Sequence, residues 1–263
     1  MYPHPADRAG GRREMSGALH WSKLRFMRQS PAHYQHFSRV PFTMTPAMKL
    51  GWLAHALVLG GEGPVVWEGQ RRGKAWLEFK EQHDPDRIVT ASEMATAENI
   101  ADAVQANPEA RCVLEDGVPE RTMEWAVAGR VCAGRTDVAG LGLTELKVTD
   151  CDPAKFPWHA RRMGWHGQLA WYGEGARIAH GVEFDRYSVV AVEPKPPHAV
   201  CVYDLSERTT EEGTRLWRSL FDRLLVCEAS DEWPGYSQTI LPWDVPEEDE
   251  VTLIIGGKET EVA

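Results

Sequence analysis

The sequence predicts a single α/β domain. Segments with helical apolar spacing fill the chain up to Ala106, and strand-like runs with turn residues between them occupy the middle. A long amphipathic stretch, Glu207 to Cys227, follows two further strands. No internal repeat and no convincing linker divides the chain, so one core is the economical reading of its 263 residues.

The elements follow in order. Residues 1–16 are rich in Pro, Gly and Arg and predict a flexible tail. Ser22 is placed to cap a short helix, Lys23 to Arg28, which ends before Ser30-Pro31, and Ala32 to Phe37 begins another. Thr45-Pro46 supplies an N-cap with proline at the first helical position, predicting a helix over Ala47 to Leu59 that Gly60-Gly61 stops. Arg71 to Gln82 and Ser92 to Ala106 read as helices, the second capped by Ser92 and closed before Asn107-Pro108. Glu120 to Val127 starts a run of strands. Val131 to Val138 and Leu143 to Val148 form a hairpin around Gly140-Leu141-Gly142. Ala160 to Tyr172 predicts a helix despite Gly164 and Gly167, each costing roughly 1 kcal/mol. Tyr187 to Val192 and Ala199 to Leu205 are strands separated by Pro-Lys-Pro-Pro.

Composition narrows the function. No apolar run approaches the ~18–20 residues of a membrane helix, and no secretory signal is visible at the start. Five widely spaced cysteines without a Cys-x-x-Cys argue against a zinc site, an iron–sulfur cluster or a disulfide framework, and predict a reduced, cytoplasmic protein. A net charge of −10 argues against a general nucleic-acid coat. It leaves room for an enzyme with a local basic patch such as Arg71-Arg72-Gly73-Lys74 or Arg161-Arg162; a solvated helix face explains either patch equally well. An acidic run, Asp244 to Glu250, lies near the C-terminus.

The hairpin carries the chemistry. Residues two apart on a strand share a face, so Glu145 and Lys147 point one way while Leu146 points into the core. Closure of the hairpin brings Asp137 toward Glu145. Two carboxylates with a lysine beside them suit a hard divalent cation and an activated water, the requirements of phosphodiester hydrolysis. Taken alone, the same three residues also suit a solvated hairpin with an incidental ion pair.

Further candidates lie outside it. His55 follows Gly51 by one helical turn, so both share a face, although a lone histidine on an apolar helix is more often a satisfied core residue. Glu120, on the preceding strand, is available as a third carboxylate or as an exposed strand residue. Gln168 and Tyr172, at i and i+4, present an amide and a phenol on one helix face. Arg135 shares a strand face with Asp137 and suits either a phosphate contact or an ion pair.

In that order, Gly-x-x-x-His, Glu, Asp, Glu-x-Lys and Gln-x-x-x-Tyr, these residues resemble the PD-(D/E)XK nucleases of the RecB-like branch. The nearer resemblance is to the nuclease domain of phage-type exonuclease VIII, RecE, over roughly Leu19 to Trp243. It includes SKLRFMRQSPAHY (Ser22 to Tyr34), TPAMKLGWLAHALVLG (Thr45 to Gly60), PERTMEW (Pro119 to Trp125), GRTD (Gly134 to Asp137), ELK (Glu145 to Lys147), GQLAWY (Gly167 to Tyr172) and DEWPGY (Asp231 to Tyr236). Thr136 stands where members often carry proline, and Glu145 where some carry aspartate.

The resemblance implies a central mixed β-sheet flanked by helices over residues 17–245, between the flexible tail and an acidic C-terminal tail, 246–263. It implies Mg²⁺, or Mn²⁺, held by Asp137, Glu145 and the carbonyl of Leu146, with His55 at the metal edge and Glu120 near a second metal or positioning the first. Lys147 would hold and help deprotonate the attacking water. Gln168 and Tyr172 would steady the lysine or touch the DNA backbone, and Arg135 would touch a phosphate. The implied activity is exonucleolytic cleavage at double-stranded DNA ends, 5′ to 3′, for recombination. A homo-oligomeric ring and a single-strand annealing protein would be its partners. Two alternatives are an inert end-binding or inhibitory protein with the same fold, and a CRISPR-adaptation-type nuclease, which usually carries clustered cysteines that this chain lacks.

Overall fold

The computed structural model describes residues 17–243, together with the backbone of two short antiparallel strands at Thr252–Ile255 and Lys258–Glu261. The N-terminal tail expected over residues 1–16 lies outside the described residues, and the expected C-terminal tail includes those two strands.

A six-stranded mixed sheet organises the chain. Its strands are β1 (Leu19–His20), β4 (Gly117–Val127), β5 (Arg130–Gly140), β6 (Gly142–Val148), β7 (Arg186–Val192) and β8 (Val200–Asp204). The long strand β5 is the hub. β4 runs antiparallel along one edge of it. Along its other edge, Cys132 and Ala133 pair in parallel with β1, while Val138 and Ala139 pair with Thr144 and Leu143 of β6. β7 then joins β6 in parallel, and β8 closes the sheet antiparallel to β7. A separate parallel pair, β2 (Val65–Trp67) and β3 (Ile88–Thr90), flanks α4 (Lys74–Gln82) in sequence.

Helices cover both faces. On one lie α8 (Trp165–His180) and α9 (Glu207–Ser230), where Trp171, Trp217, Phe221 and Leu224 pack with Leu143 and Val189 of the sheet. On the other lie α3 (Pro46–Leu59), α5 (Ala91–Ala106) and α6 (Pro108–Glu115), whose Ala54, Ile100, Val104 and Val113 meet Val138, Leu146, Val190 and Val192. Successive strand residues alternate between these layers, so Leu143 and Leu146 fall in different cores. The expected mixed α/β architecture is present. Among the described residues, no helix is long and apolar enough to cross a membrane.

Caps set several boundaries, and some differ from expectation. Thr45 caps α3 through the Met48 N–H, as its sequence implied. Helix α1 (Trp21–Leu24) continues as a 3₁₀ turn, Arg25–Arg28, and Ser22 lies inside it rather than capping it. α2 (Pro31–Arg39) begins one residue early, capped by Ser30 with proline at its first position. α4 starts at Lys74 because Gly73, at φ 81°, interrupts the expected helix. Thr90 and Glu93 form a reciprocal capping box that moves the start of α5 ahead of Ser92. Asn107 caps α6, so Asn107-Pro108 opens a further helix as well as closing α5. The expected helix 160–172 is two helices, α7 (Phe156–Met163) and α8, divided where Gly164 turns left-handed at φ 77°.

Gly213 of α9 lets two backbones touch: a Cβ there would stand 2.3 Å from the His166 carbonyl oxygen of α8. Backbone cannot swing aside as a side chain can. Gly213→Ala therefore lowers stability by about 1–3 kcal/mol despite its better helix propensity; an unchanged urea midpoint would show that α8 and α9 are less tightly joined.

Candidate active site

The site begins where β5 and β6 part. After the Val138–Thr144 and Ala139–Leu143 pairs their ladder ends, and the amides that would have continued it need other acceptors. Side chains supply them. The Asp137 carboxylate accepts the Leu146 N–H at 2.8 Å, and the Glu145 carboxylate accepts the Asp137 N–H at 3.4 Å. Each acid thus stands in for the missing strand, which holds the two carboxylates beside each other at the mouth of the fork.

Both helical layers reach this point. From α3, His55 donates Nε2–H to the Leu146 carbonyl at 2.7 Å and sets Nδ1 3.3 Å from Asp137 Oδ1. From β6 itself, Lys147 reaches back to Glu145 Oε2 at 2.6 Å. From α8, Gln168 donates to the same oxygen at 3.1 Å and also to the Tyr172 hydroxyl at 3.2 Å, fixing the i, i+4 pair as a unit. Glu145 is 1% exposed and accepts from the Asp137 N–H, Lys147 and Gln168.

Glu120 and Arg135 stand further along the same cleft. Glu120 faces Asp137 in the β4–β5 register, between the Pro119–Val138 and Arg121–Thr136 pairs. Its φ of 51° puts a non-glycine residue in the left-handed region, a strain on the order of 1–3 kcal/mol that redirects its side chain. The carboxylate lies 3.6 Å from the Arg135 guanidinium, so these two candidates pair with each other. All the residues nominated from sequence line one cleft of ≈ 700 Å³. Gly51 lines it too, with no atom near the place of its missing Cβ, so it leaves open space rather than admitting a neighbouring backbone. Sequence reasoning overlooked Arg25, which projects into this cleft from the 3₁₀ turn.

Burial and crowding set the charges. Burial, then the charge of Asp137, pushes the Glu145 carboxyl up to about 7. Burial works in the same sense on Asp137, but His55, Lys147 and the Leu146 N–H overcome it and hold that carboxyl below its ordinary range. Burial opposes charge on His55, yet Asp137 outweighs it and raises the imidazole, in keeping with an acceptor at each ring nitrogen. Burial likewise opposes charge on Lys147, and the two carboxylates reverse it, leaving an ammonium that donates. Burial, reinforced by Glu145, keeps the Tyr172 phenol protonated.

A buried carboxylate, a half-buried one and a main-chain carbonyl at one end of a cleft make an all-oxygen donor set, which suits a hard cation of the Mg²⁺ or Mn²⁺ type. A cation would also offset the repulsion from Asp137 that, after burial, raises the Glu145 carboxyl. The donors mix side chain with main chain: among the described residues, no three His, Cys, Asp or Glu side chains are grouped as a metal cluster.

Comparison with known proteins agrees with this architecture. Residues 21–241 match the model of a PDDEXK-like domain of unknown function (DUF3799), and the chain belongs to that family. A crystal structure from Eubacterium rectale, described as a "Putative exonuclease", superposes with a TM-score of 0.62 at 12% identity, covering 93% of this chain and 97% of that one. The likeness extends to the whole fold. A structure described as SSO0001 covers 78% of this chain and 82% of its own at 14% identity, with a TM-score of 0.29 that carries no weight. No curated protein sequence matches the chain significantly.

The raised acid has a consequence for stability. Above the ordinary carboxylate range the unfolded chain releases the Glu145 proton, while the folded chain keeps it until about pH 7, so folding weakens over that interval. His55, also raised, contributes in the same direction as pH passes through its folded value. Metal-free protein is therefore less stable at about pH 8 than at about pH 5 on account of these groups, and Glu145→Gln flattens the difference. Urea midpoints with the same pH slope in both proteins would contradict the assignment.

Proposed function

We propose that this protein is a divalent-metal-dependent nuclease that hydrolyses phosphodiester bonds at DNA ends. One observation carries the reading: a buried glutamate, an adjacent aspartate and a lysine are locked together at the fork of two strands, inside a cleft of a PDDEXK-like domain. Such an arrangement assembles negative charge to hold a cation and positive charge to meet a phosphate.

Asp137, Glu145 and the Leu146 carbonyl would hold Mg²⁺ or Mn²⁺. A bound ion of this kind polarises the phosphate and makes a coordinated water nucleophilic. His55 orients two of the proposed ligands at once, because its ring bonds to both Asp137 and the Leu146 carbonyl. Lys147 aligns the attacking water and donates to charge developing on the phosphate oxygens. The two carboxylates beside it favour its charged form, and it would help deprotonate the water as the cation takes up their charge. Gln168, anchored by Tyr172, keeps Glu145 in place. Arg135, paired with Glu120 along the cleft, would take a phosphate and free Glu120 to hold a second metal or position the first.

Action at ends, rather than within strands, is supported by the description of the Eubacterium rectale protein. Cleavage from 5′ to 3′ on duplex ends, a recombination role, a ring assembly and an annealing partner form the finer part of the proposal, and rest on the resemblance of the ordered motifs.

Digestion of end-labelled linear and circular duplexes tests it. The expected outcome is loss of label from linear DNA with Mg²⁺, none with chelator, and little attack on circles. Glu145→Ala and Lys147→Ala should each slow cleavage on the order of a hundredfold or more without loss of the folded state. Full activity of either variant would remove the site from the mechanism, and metal-independent DNA binding without cleavage would favour an inert end-binding protein.

A further inference from the structure

Every other arginine and lysine facing the cleft has a counter-charge. Lys147 meets Glu145 at 2.6 Å, Arg87 meets Glu62 at 2.8 Å, and Arg135 lies 3.6 Å from Glu120. Arg25 has none among the described residues. Its Nε is buried without a hydrogen-bond partner. Burial depresses the guanidinium, with no carboxylate to offset it. Its charge instead works against the nearby Lys147 and Arg28.

Arginines of this turn do not simply lie loose on the surface. Arg28, next along the 3₁₀ segment, is tied down by the carbonyls of Arg162 at 2.7 Å and Arg161 at 3.2 Å. Arg25 is held only from one side, with its guanidinium carbon 5.3 Å from the Phe26 ring centroid, and that ring stacks on Phe37 at 4.4 Å. The head group is thus supported on an aromatic plate while its hydrogen-bond donors remain unspent. A partly desolvated cation in that state is costly to the fold and complementary to an anion. Guanidinium suits phosphate oxygens best, through paired N–H donors.

We infer that Arg25 is a phosphate-binding residue of the cleft, holding a backbone phosphate of the DNA strand next to the one presented to Asp137 and Glu145. The inference rests on the nuclease reading for the identity of the strand. It adds a positioning contact built from the entry turn of the domain. Held there, the strand is fixed at two phosphates, which sets its register against the carboxylates.

Binding in chelator separates this contact from catalysis. Anisotropy of a fluorescein-labelled linear duplex with a single-stranded overhang is measured over a range of salt. Arg25→Gln is expected to weaken binding roughly tenfold and to reduce the salt slope by about one, with Arg25→Lys intermediate. Thermal stability of Arg25→Gln should be equal to or above wild type, because an uncompensated cation has been removed. A scan of single methylphosphonates along the strand should reveal one position that weakens wild type but adds nothing in Arg25→Gln. Unchanged affinity and salt slope in Arg25→Gln, no such position, or no DNA binding by the wild-type protein would overturn the inference. Arg25-dependent binding by a wild-type protein that never cleaves would leave the phosphate contact standing and remove the nuclease reading instead.

Discussion

The parting of β5 from β6 is the constraint on which the rest depends. A hairpin that zipped fully would satisfy its amides in its own ladder and leave Asp137 and Glu145 without those donors. Because pairing stops after two residue pairs, two buried amides must find other acceptors, and an unpaired amide costs on the order of 1–3 kcal/mol. The carboxylates fill that need. The fold therefore places two acids side by side as a condition of its own hydrogen bonding.

That arrangement is satisfied in geometry and frustrated in charge. Main-chain donors are met, but two carboxyl groups share one dry corner, and the response is a Glu145 carboxyl pushed up to about 7, a His55 raised by Asp137 and a Lys147 bound to Glu145. Arg25 is the mirror image, a cation lacking its anion. The strained backbone at Glu120 adds a third departure from ease. All three sit along one cleft. Local tension gathered at a cleft points to ligands that complete it.

Much of this was legible in the sequence where local rules act alone. Thr45-Pro46 announced α3 because capping and proline geometry need no tertiary partner. The turn at Gly140-Leu141-Gly142 and the shared face of Glu145 and Lys147 followed from strand periodicity. The shared helix face of Gln168 and Tyr172 followed from their spacing, and the structure adds the hydrogen bond between them. What escaped depends on distant contacts. The two-residue strand β1 exists because β5 offers it an edge, and β2 and β3 exist because each pairs with the other. α6 lay behind a proline read as a stop when it was also a start. Arg25 carried no motif: its significance lies in a missing partner, which no sequence displays. Glu120 was nominated as a carboxylate, but its left-handed backbone and its pairing with Arg135 come from the register of β4 on β5.

The most direct test of the account is the position of a bound ion. Crystals equilibrated with Mn²⁺ would show, by anomalous scattering, whether a cation sits at the fork. The account predicts a peak within coordination distance of oxygens from Asp137, Glu145 and the Leu146 carbonyl, absent in Asp137→Asn. A peak elsewhere in the cleft, or none at a concentration that supports cleavage, would contradict it.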